Sequence, residues 1–317
     1  MSYFKSPSST FLNYALLFGV GFLWGFQYLL NHLAFESFSI WMIPAGRIFI
    51  GAIFLTLLLI PKIGKTYSPQ SLRSFWSFLP EFIIIGFFET TLPWSLIIWA
   101  QQQLSSSFTA ILIGTVPLFV TLLEVFFIKD HSITREKTIA LVIGLFGVLF
   151  LVSQKIFAPN IIDAFSRSLP GLPILAMLVA AVSFSISVLL IKIRLGTNLS
   201  PLQSAQGIFV GGLLTALPFF LWMSQPWTLS SFHCTQTALL ALILLGALCG
   251  GTVYILYVTL IVKTSPSFAS TANYIAMTVA VFIGIILQGG KLPFSMLGGC
   301  LLILIALWLF NEKQPQK

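Results

Sequence analysis

The fold is indicated by a stretch that occurs twice in the chain, first as Ser105-Ser106-Ser107-Phe108 and again 160 residues later as Ser265-Pro266-Ser267-Phe268. Two further pairs match at the same offset: Ile48-Phe49-Ile50-Gly51 with Ile208-Phe209-Val210-Gly211, and Gly86 with Gly246. Apolar segments match by chance more often than average sequence, but one constant offset without a gap is typical of an internal repeat. We therefore predict two copies of one structural unit, in residues 11–153 and 171–310.

The composition is that of a helical membrane protein. Hydrophobic residues make up 57% of the 317 residues and charged residues 8%, whereas about 25% of an ordinary soluble domain is charged. The apolar residues form about ten blocks, each close to the roughly 20 residues that a helix needs to cross a bilayer. The predicted spans are 11–31, 38–60, 78–100, 106–127, 138–153, 171–193, 204–223, 237–262, 268–288 and 294–310. The predicted fold class is an all-α, multi-pass integral membrane protein.

Lysine and arginine are distributed unequally between the two sides of these ten helices. Twelve lie at the termini or in the connections 2–3, 4–5, 6–7 and 8–9: Lys5, Lys62, Lys65, Arg73, Lys129, Arg135, Lys137, Lys192, Arg194, Lys263, Lys313 and Lys317. The opposite side holds Lys155, Arg167 and Lys291. Because basic residues are enriched on the cytoplasmic side, both termini are predicted to lie in the cytoplasm, with the helices in the cell's inner (cytoplasmic) membrane. The net charge of +8 then reflects membrane orientation, and no nucleic-acid partner is expected.

Each predicted repeat contains five helices, an odd number, so the second copy lies upside down relative to the first. Inverted-topology repeats have two near-equivalent packings, one open to each side of the membrane. This pattern favours a transporter that carries a small molecule by alternating access.

Two other classes of function remain as alternatives. An intramembrane enzyme needs a nucleophile with a base, or metal ligands, within the bundle, but the three histidines fall in predicted connections: His32, His131 and His233. The three cysteines have no metal or redox spacing: Cys234, Cys249 and Cys300. We therefore expect structural cysteines, no metal and no cofactor. A non-transporting receptor or scaffold is the other alternative, and it needs no central polar cavity.

Charged residues within the predicted helices are few. A charge at the centre of a membrane helix costs about 2.5–3.5 kcal/mol on insertion scales, so each one is a functional candidate. Glu89 lies near the middle of helix 3 and Arg47 about nine residues into helix 2. They either contact the substrate or pair with each other and hold the two helices together. Glu124 lies one turn from the end of helix 4, where its side chain is expected to reach the interface.

The segment around Glu89 is interrupted in both repeats. In Glu89-Thr90-Thr91-Leu92-Pro93-Trp94 the proline lacks an N–H, so the Glu89 carbonyl loses its helical partner. The equivalent stretch is Cys249-Gly250-Gly251-Thr252-Val253-Tyr254. Interruptions at matching positions of two repeats point to a transporter's central site, and we predict the binding site there.

Aromatic and amide residues share single helical faces around this point. On helix 1 these are Trp24, Gln27 and Asn31; on helix 8, Gly250, Tyr254 and Tyr257; on helix 9, Ser270, Asn273, Tyr274 and Met277. Each residue alone is also explained by packing and interhelical hydrogen bonds. Together with Glu89, Arg47 and Trp94 they predict a substrate site, because aromatic rings beside a carboxylate suit an organic cation.

Several short motifs resemble the drug/metabolite transporter superfamily and, within it, the EamA-type ten-helix transporters. They are Leu23-Trp24-Gly25, Pro44-Ala45-Gly46-Arg47, Ser107-Phe108-Thr109-Ala110 with Pro117-Leu118, Thr264-Ser265-Pro266-Ser267, and Gly144 to Gly147. The resemblance covers nearly the whole chain, and it rests on the order and spacing of the motifs.

The resemblance implies that helices 1–4 and 6–9 line a central cavity, while helices 5 and 10 stand outside it and sometimes form a homodimer contact. Gly144 and Gly147 in helix 5 permit close helix approach, and they either lie at such a contact or pack within one monomer. It also implies a small-molecule substrate within a lipid bilayer. One buried acid and one buried base favour an amino-acid-like zwitterion or cation, and S-adenosylmethionine, in exchange for its demethylated product, is the specific candidate.

Overall fold

The structure is a computed structural model that describes residues 7–63, 74–104, 106–128, 134–156, 171–196, 198–224, 234–287 and 294–309. Within these ranges the chain is helical and contains no β-strand. The helices are α1 (Pro7–Ala34), α2 (Met42–Leu59), α3 (Leu79–Gly86 and Leu92–Gln101), α4 (Ser106–Ile113 and Val116–Phe127), α5 (Arg135–Ile156), α6 (Gly171–Leu190), α7 (Pro201–Ser224), α8 (Gln236–Gly246 and Val253–Lys263), α9 (Pro266–Ser270 and Ala272–Leu287) and α10 (Phe294–Leu309).

The helices have the length and composition of membrane spans. Seven continuous helical stretches in the described residues are long and apolar enough to cross a bilayer, and Val116–Phe127 and Thr138–Gly147 are shorter apolar helices. Large apolar side chains are exposed on the outside of the bundle, for example Phe11 at 78% and Phe126 at 79%. This confirms an all-helical membrane protein, while the count of ten crossings and their direction stay predictions.

The contacts between helices occur in equivalent pairs under the 160-residue shift. The contact of α1 with α9 matches that of α6 with α4, and the contact of α3 with α7 matches that of α8 with α2. Contacts also join equivalent helices directly, among them α2 with α7, α4 with α9 and α5 with α10. The two halves therefore pack as related units around a shared centre.

Glycines repeated at the 160-residue offset allow the closest of these contacts. An added Cβ at Gly246 would lie 2.6 Å from the Cβ of Ile50, and one at Gly86 would overlap the backbone of Gly212. Small residues let membrane helices approach closely. Gly86 and Gly246 thus hold α3 against α7 and α8 against α2.

Both halves also contain a π-helical turn at the same place. The turns are Phe87–Thr91 in α3 and Ala247–Thr252 in α8. Such turns are rare and concentrate at functional sites. In α3 the turn precedes Pro93, which has no N–H for the Glu89 carbonyl. The predicted interruptions are therefore present in both repeats.

Helix α5 packs at the periphery against α9 and α10. A Cβ added at Gly144 would lie 2.6 Å from the Tyr274 ring, and one at Gly147 would lie 3.0 Å from the Gly299 carbonyl. Of the two interpretations of these glycines, packing within one monomer and a homodimer contact, the described contacts show the first.

Two expectations about polar residues are wrong. His32 lies in the last turn of α1 rather than in a connection, and its side chain is exposed. Glu124 does not reach the interface, because its side chain is 2% exposed and bonded to Ser267 of the other half. His131 and His233 lie outside the described residues.

Candidate functional site

A narrow central cavity of about 30 Å³ lies between the two halves. It is lined by Trp24, Gln27, Tyr28, Asn31, Arg47, Glu89, Trp94, Ile97, Ile98, Ile113, Val116, Phe184, Tyr254, Tyr257 and Asn273. Asn31 lies near the end of α1, Arg47 near the start of α2 and Ile98 near the end of α3. The cavity therefore extends from the centre of the bundle toward the end that carries the α1–α2 and α3–α4 connections.

Eight of the nine residues predicted for the substrate site line this cavity: Trp24, Gln27, Arg47, Glu89, Trp94, Tyr254, Tyr257 and Asn273. Tyr274 is the exception. Its ring packs against Gly144 of α5, away from the lining. Tyr274 and Asn273 are adjacent on α9 and so project in different directions around the helix.

The aromatic side chains of the cavity form a connected set. The Trp24 ring lies 4.6 Å from Tyr257 and 6.2 Å from Tyr254 between centroids, and Tyr254 lies 6.0 Å from Trp94. All three contacts are edge-to-face, which is a favoured arrangement of aromatic pairs. The ring set joins α1 and α3 of the first half to α8 of the second.

Arg47 brings a positive charge into this aromatic wall. Its guanidinium carbon lies 3.7 Å from the centroid of the Trp94 ring, and Nη2 donates to the Cys249 carbonyl at 2.9 Å. The Nε–H is buried and has no hydrogen-bond partner among the described residues. An arginine presents five donors in a fixed planar fork, so this side chain retains donor capacity toward an anionic group in the cavity.

Glu89 is held by hydroxyl groups from the other half. Tyr254 donates its hydroxyl to Oε1 at 2.9 Å, and Ser187 donates to Oε2. The Glu89 side chain has no exposed surface. Both carboxylate oxygens therefore accept a hydrogen bond from a residue of the second half.

Arg47 and Glu89 do not form the structural pair that was one of the two interpretations of the sequence. Among the described residues, the Arg47 fork bonds the Cys249 carbonyl and Glu89 bonds Tyr254 and Ser187, with no ion pair between the two. The two charges line one cavity, and each is held separately by groups of the second half.

Comparison with known proteins agrees with this architecture. The model of a family described as the EamA-like transporter family matches residues 12–153 and 171–311. The chain belongs to the EamA-like transporter family. One curated relative, described as "Uncharacterized transporter YoaV" of Bacillus subtilis (strain 168), is 24% identical over 293 residues, which are 92% of this chain and 94% of the relative.

The EamA-like fold is also found in a solved structure titled "Crystal structure of protein". That chain is 16% identical, with a TM-score of 0.70, and the match covers 96% of this chain and 97% of the other. At this identity the likeness shows the fold alone.

Several residues that bond or line the EamA-like cavity were not predicted, and the repeat offset identifies two of them. Phe184 lies 160 residues after Trp24, and Ser187 lies 160 residues after Gln27. The face of α1 that was singled out thus has a counterpart on α6. On α6 the counterpart is less polar, and Ser183, one residue from Phe184, donates to the Phe88 carbonyl in the π-helical turn at 2.6 Å.

Six further lining residues of this EamA-like chain also pair at the same offset. The pairs are Trp94 with Tyr254, Ile97 with Tyr257, and Ile113 with Asn273. In each pair the second repeat supplies the residue with a hydroxyl or an amide. The cavity is therefore symmetric in position for these pairs and asymmetric in chemistry, with Arg47 and Glu89 on one half and most hydroxyl groups on the other.

Proposed function

We propose that this protein is a secondary transporter that moves a small organic metabolite across the cytoplasmic membrane by alternating access. The observation that carries the proposal is the central cavity, whose wall is built from equivalent positions of both repeats. A cavity at the pseudo-two-fold axis that relates the two repeats is lined by the same helices in both packings, one open to each side of the membrane. Its ligand can then be released to either side.

The proposed substrate class is an amino-acid-like zwitterion or cation. The unpartnered Nε–H of Arg47 suits a carboxylate, because arginine recognises planar anions through paired donors. The Trp24, Tyr254 and Tyr257 rings suit an apolar, planar or cationic body. Glu89 balances a positive group once its hydroxyl partners exchange for the ligand.

S-Adenosylmethionine is the specific compound proposed within this class, in exchange for its demethylated product. It combines a zwitterionic amino acid, a sulfonium and a planar base. Simple amino acids and methylated amines are the matched comparisons, because each carries only some of these groups.

The orientation and assembly complete the proposal. Both termini face the cytoplasm, as the distribution of lysine and arginine predicts. A homodimer through α5 and α10 would use the outer face of α5, where Phe146 is 61% exposed, because Gly144 and Gly147 are already packed within the chain.

The test is uptake of a labelled metabolite panel into vesicles that contain the purified protein, with and without a preloaded counter-substrate. Arg47→Gln is the site variant, and Leu172→Ala, at a lipid-exposed position, is the matched control. Uptake lost in the first and kept in the second supports the proposal. Folded protein that binds a panel compound but moves none would instead support a receptor.

A further inference from the structure

Outside the cavity, the most deeply buried charged contact between the halves is made by Glu124. Its side chain is 2% exposed and lies near the end of α4. The carboxylate accepts from the backbone N–H of Ser267 at 3.1 Å and from the Ser267 hydroxyl. Thr121, one turn earlier on α4, also donates to the Ser267 hydroxyl, at 3.2 Å. A single serine of the second half is therefore held by two residues of the first.

This contact lies beyond the cavity, toward the opposite end of the bundle. Val116, which lines the cavity, precedes Glu124 by eight residues on α4, a distance of about 12 Å along a helix. Val116, Val120 and Glu124 follow one another at four-residue spacing and so share one face of α4. Ligand leaving the cavity along this face passes the Glu124–Ser267 contact.

A second polar contact reinforces the same end. Lys192, in the π-helical turn after α6, donates to the carbonyls of Ile261, Val262 and Thr264 at 2.8–3.0 Å. These carbonyls lie at the end of α8, just before Ser267. The segment that carries Ser267 is thus held by Glu124 and Thr121 of α4, and the residues just before it are held by Lys192.

The equivalent positions at the cavity end have no such groups. Glu124 corresponds to Gly284 and Lys192 corresponds to His32 at the 160-residue offset. A Cβ added at Gly284 would meet nothing within 4 Å, and the His32 side chain is exposed. The α4–α9 end is therefore held by polar contacts that the equivalent positions at the cavity end do not provide.

We propose that Glu124 and Ser267 form a latch that holds the α4–α9 end of the bundle closed, and that the cavity end has no buried charged counterpart among the described residues, where the Ser37–Thr235 contact between the halves is exposed. The proposal rests on alternating access as the proposed function. Because only one closed state receives these hydrogen bonds, the unloaded transporter rests with its cavity open toward the α1–α2 end. By the basic-residue distribution, that end faces away from the cytoplasm.

The latch has a kinetic consequence that differs with the side of the membrane. A ligand binds with an apparent affinity reduced by the fraction of protein in the competent state. Ligand outside meets the resting state, whereas ligand in the cytoplasm meets the rare state with the latch open. The apparent KM is therefore lower outside, while the final gradient is unchanged, because a latch does not alter the driving force.

The experiment measures access to the path between the cavity and the latch. Val120→Cys is introduced on a background of Cys234→Ser, Cys249→Ser and Cys300→Ser, and labelling with an impermeant maleimide is followed from the cytoplasmic side. Glu124→Gln and Ser267→Ala open the latch by removing the charge and the hydroxyl. Ser265→Ala is the matched control, because the Ser265 hydroxyl accepts from the backbone N–H of Phe268 within its own half and is hydrogen-bonded to neither Glu124 nor Thr121.

Loss of a hydrogen bond to a charged group should raise the labelling rate by about tenfold or more in both latch variants. The control variant should label at the parent rate, and all variants should melt within a few degrees of the parent. Unchanged labelling in both latch variants, or an equal rise in Ser265→Ala, would overturn the latch. Because labelling requires no transport, a failed uptake assay would refute the proposed function without changing this result.

Discussion

Tyr254 of the second half donates its hydroxyl to Glu89 of the first half at 2.9 Å. In the second half, the backbone carbonyl of Cys249 accepts a hydrogen bond from Arg47 of the first half at 2.9 Å. Glu89 and Cys249 are equivalent under the repeat and each lies in a π-helical turn. The π-helical turn of each half is therefore hydrogen-bonded to a residue of the other half. A change in the packing between the halves must replace the hydrogen-bond partners of both turns.

The first prediction concerns the hydroxyl of Tyr254. Tyr254→Phe leaves Glu89 with one fewer donor in a buried site, which costs about 1–3 kcal/mol for a charged acceptor. We expect a lower melting temperature and at least about tenfold slower uptake. Tyr257→Phe is the control, because Tyr257 lines the same cavity without a hydrogen bond to Glu89. Equal effects of both variants would contradict a specific role for the Tyr254 bond.

The second prediction distinguishes packing from dimerisation in α5. Gly144→Leu with Gly147→Leu places side chains into Tyr274 and Gly299. Overpacking of this kind costs about 1–3 kcal/mol at each site, so the melting temperature should fall while the particle mass by light scattering stays constant. Gly171→Ala is the control, since an added Cβ there meets nothing within 4 Å. A change of mass without loss of stability would instead place these glycines at a dimer contact.

Much of the fold could be predicted because composition and repeat are properties of the whole chain. Apolar blocks of membrane length and a constant offset do not depend on any one contact. The interruptions of α3 and α8 could also be predicted from the sequence, because Pro93 and the pair Gly250-Gly251 mark them. The 160-residue offset could also have identified two site residues that were not predicted, since it relates Trp24 to Phe184 and Gln27 to Ser187.

The contacts of single polar residues could not be predicted in the same way. Position along a helix placed Glu124 near the interface, but tertiary packing buries it against Ser267, which is 143 residues away. Tyr274 shares a helix with Asn273, and only the docking of α5 decides that its ring meets Gly144. Arg47 and Glu89 line one cavity, yet the donors to Glu89 and the carbonyl acceptor of Arg47 come from α6 and α8.

The third prediction concerns topology. On a background of Cys234→Ser, Cys249→Ser and Cys300→Ser, single cysteines at Lys65 and Arg135 should be labelled from the cytoplasmic side, and one at Gln225 from outside. Lys65 and Gln225 lie outside the described residues. Native Cys234 is exposed and lies just before α8, so restoring it gives an independent probe that should also label from outside. Labelling of positions 65 and 225 from the same side would rule out the inverted ten-helix arrangement.

The last prediction separates the roles of Glu89 and Arg47. Glu89→Gln keeps the shape and an oxygen that accepts from Tyr254, so the variant should insert and fold while uptake of a zwitterion or cation falls at least about tenfold through loss of a charged contact. Arg47→Gln should reduce uptake of carboxylates by a similar factor. Two charges that only compensated each other would regain function when both are removed. Because the structure holds them on separate partners, we expect the stable double variant Glu89→Gln with Arg47→Gln to remain inactive, and recovered uptake would refute a substrate role for both.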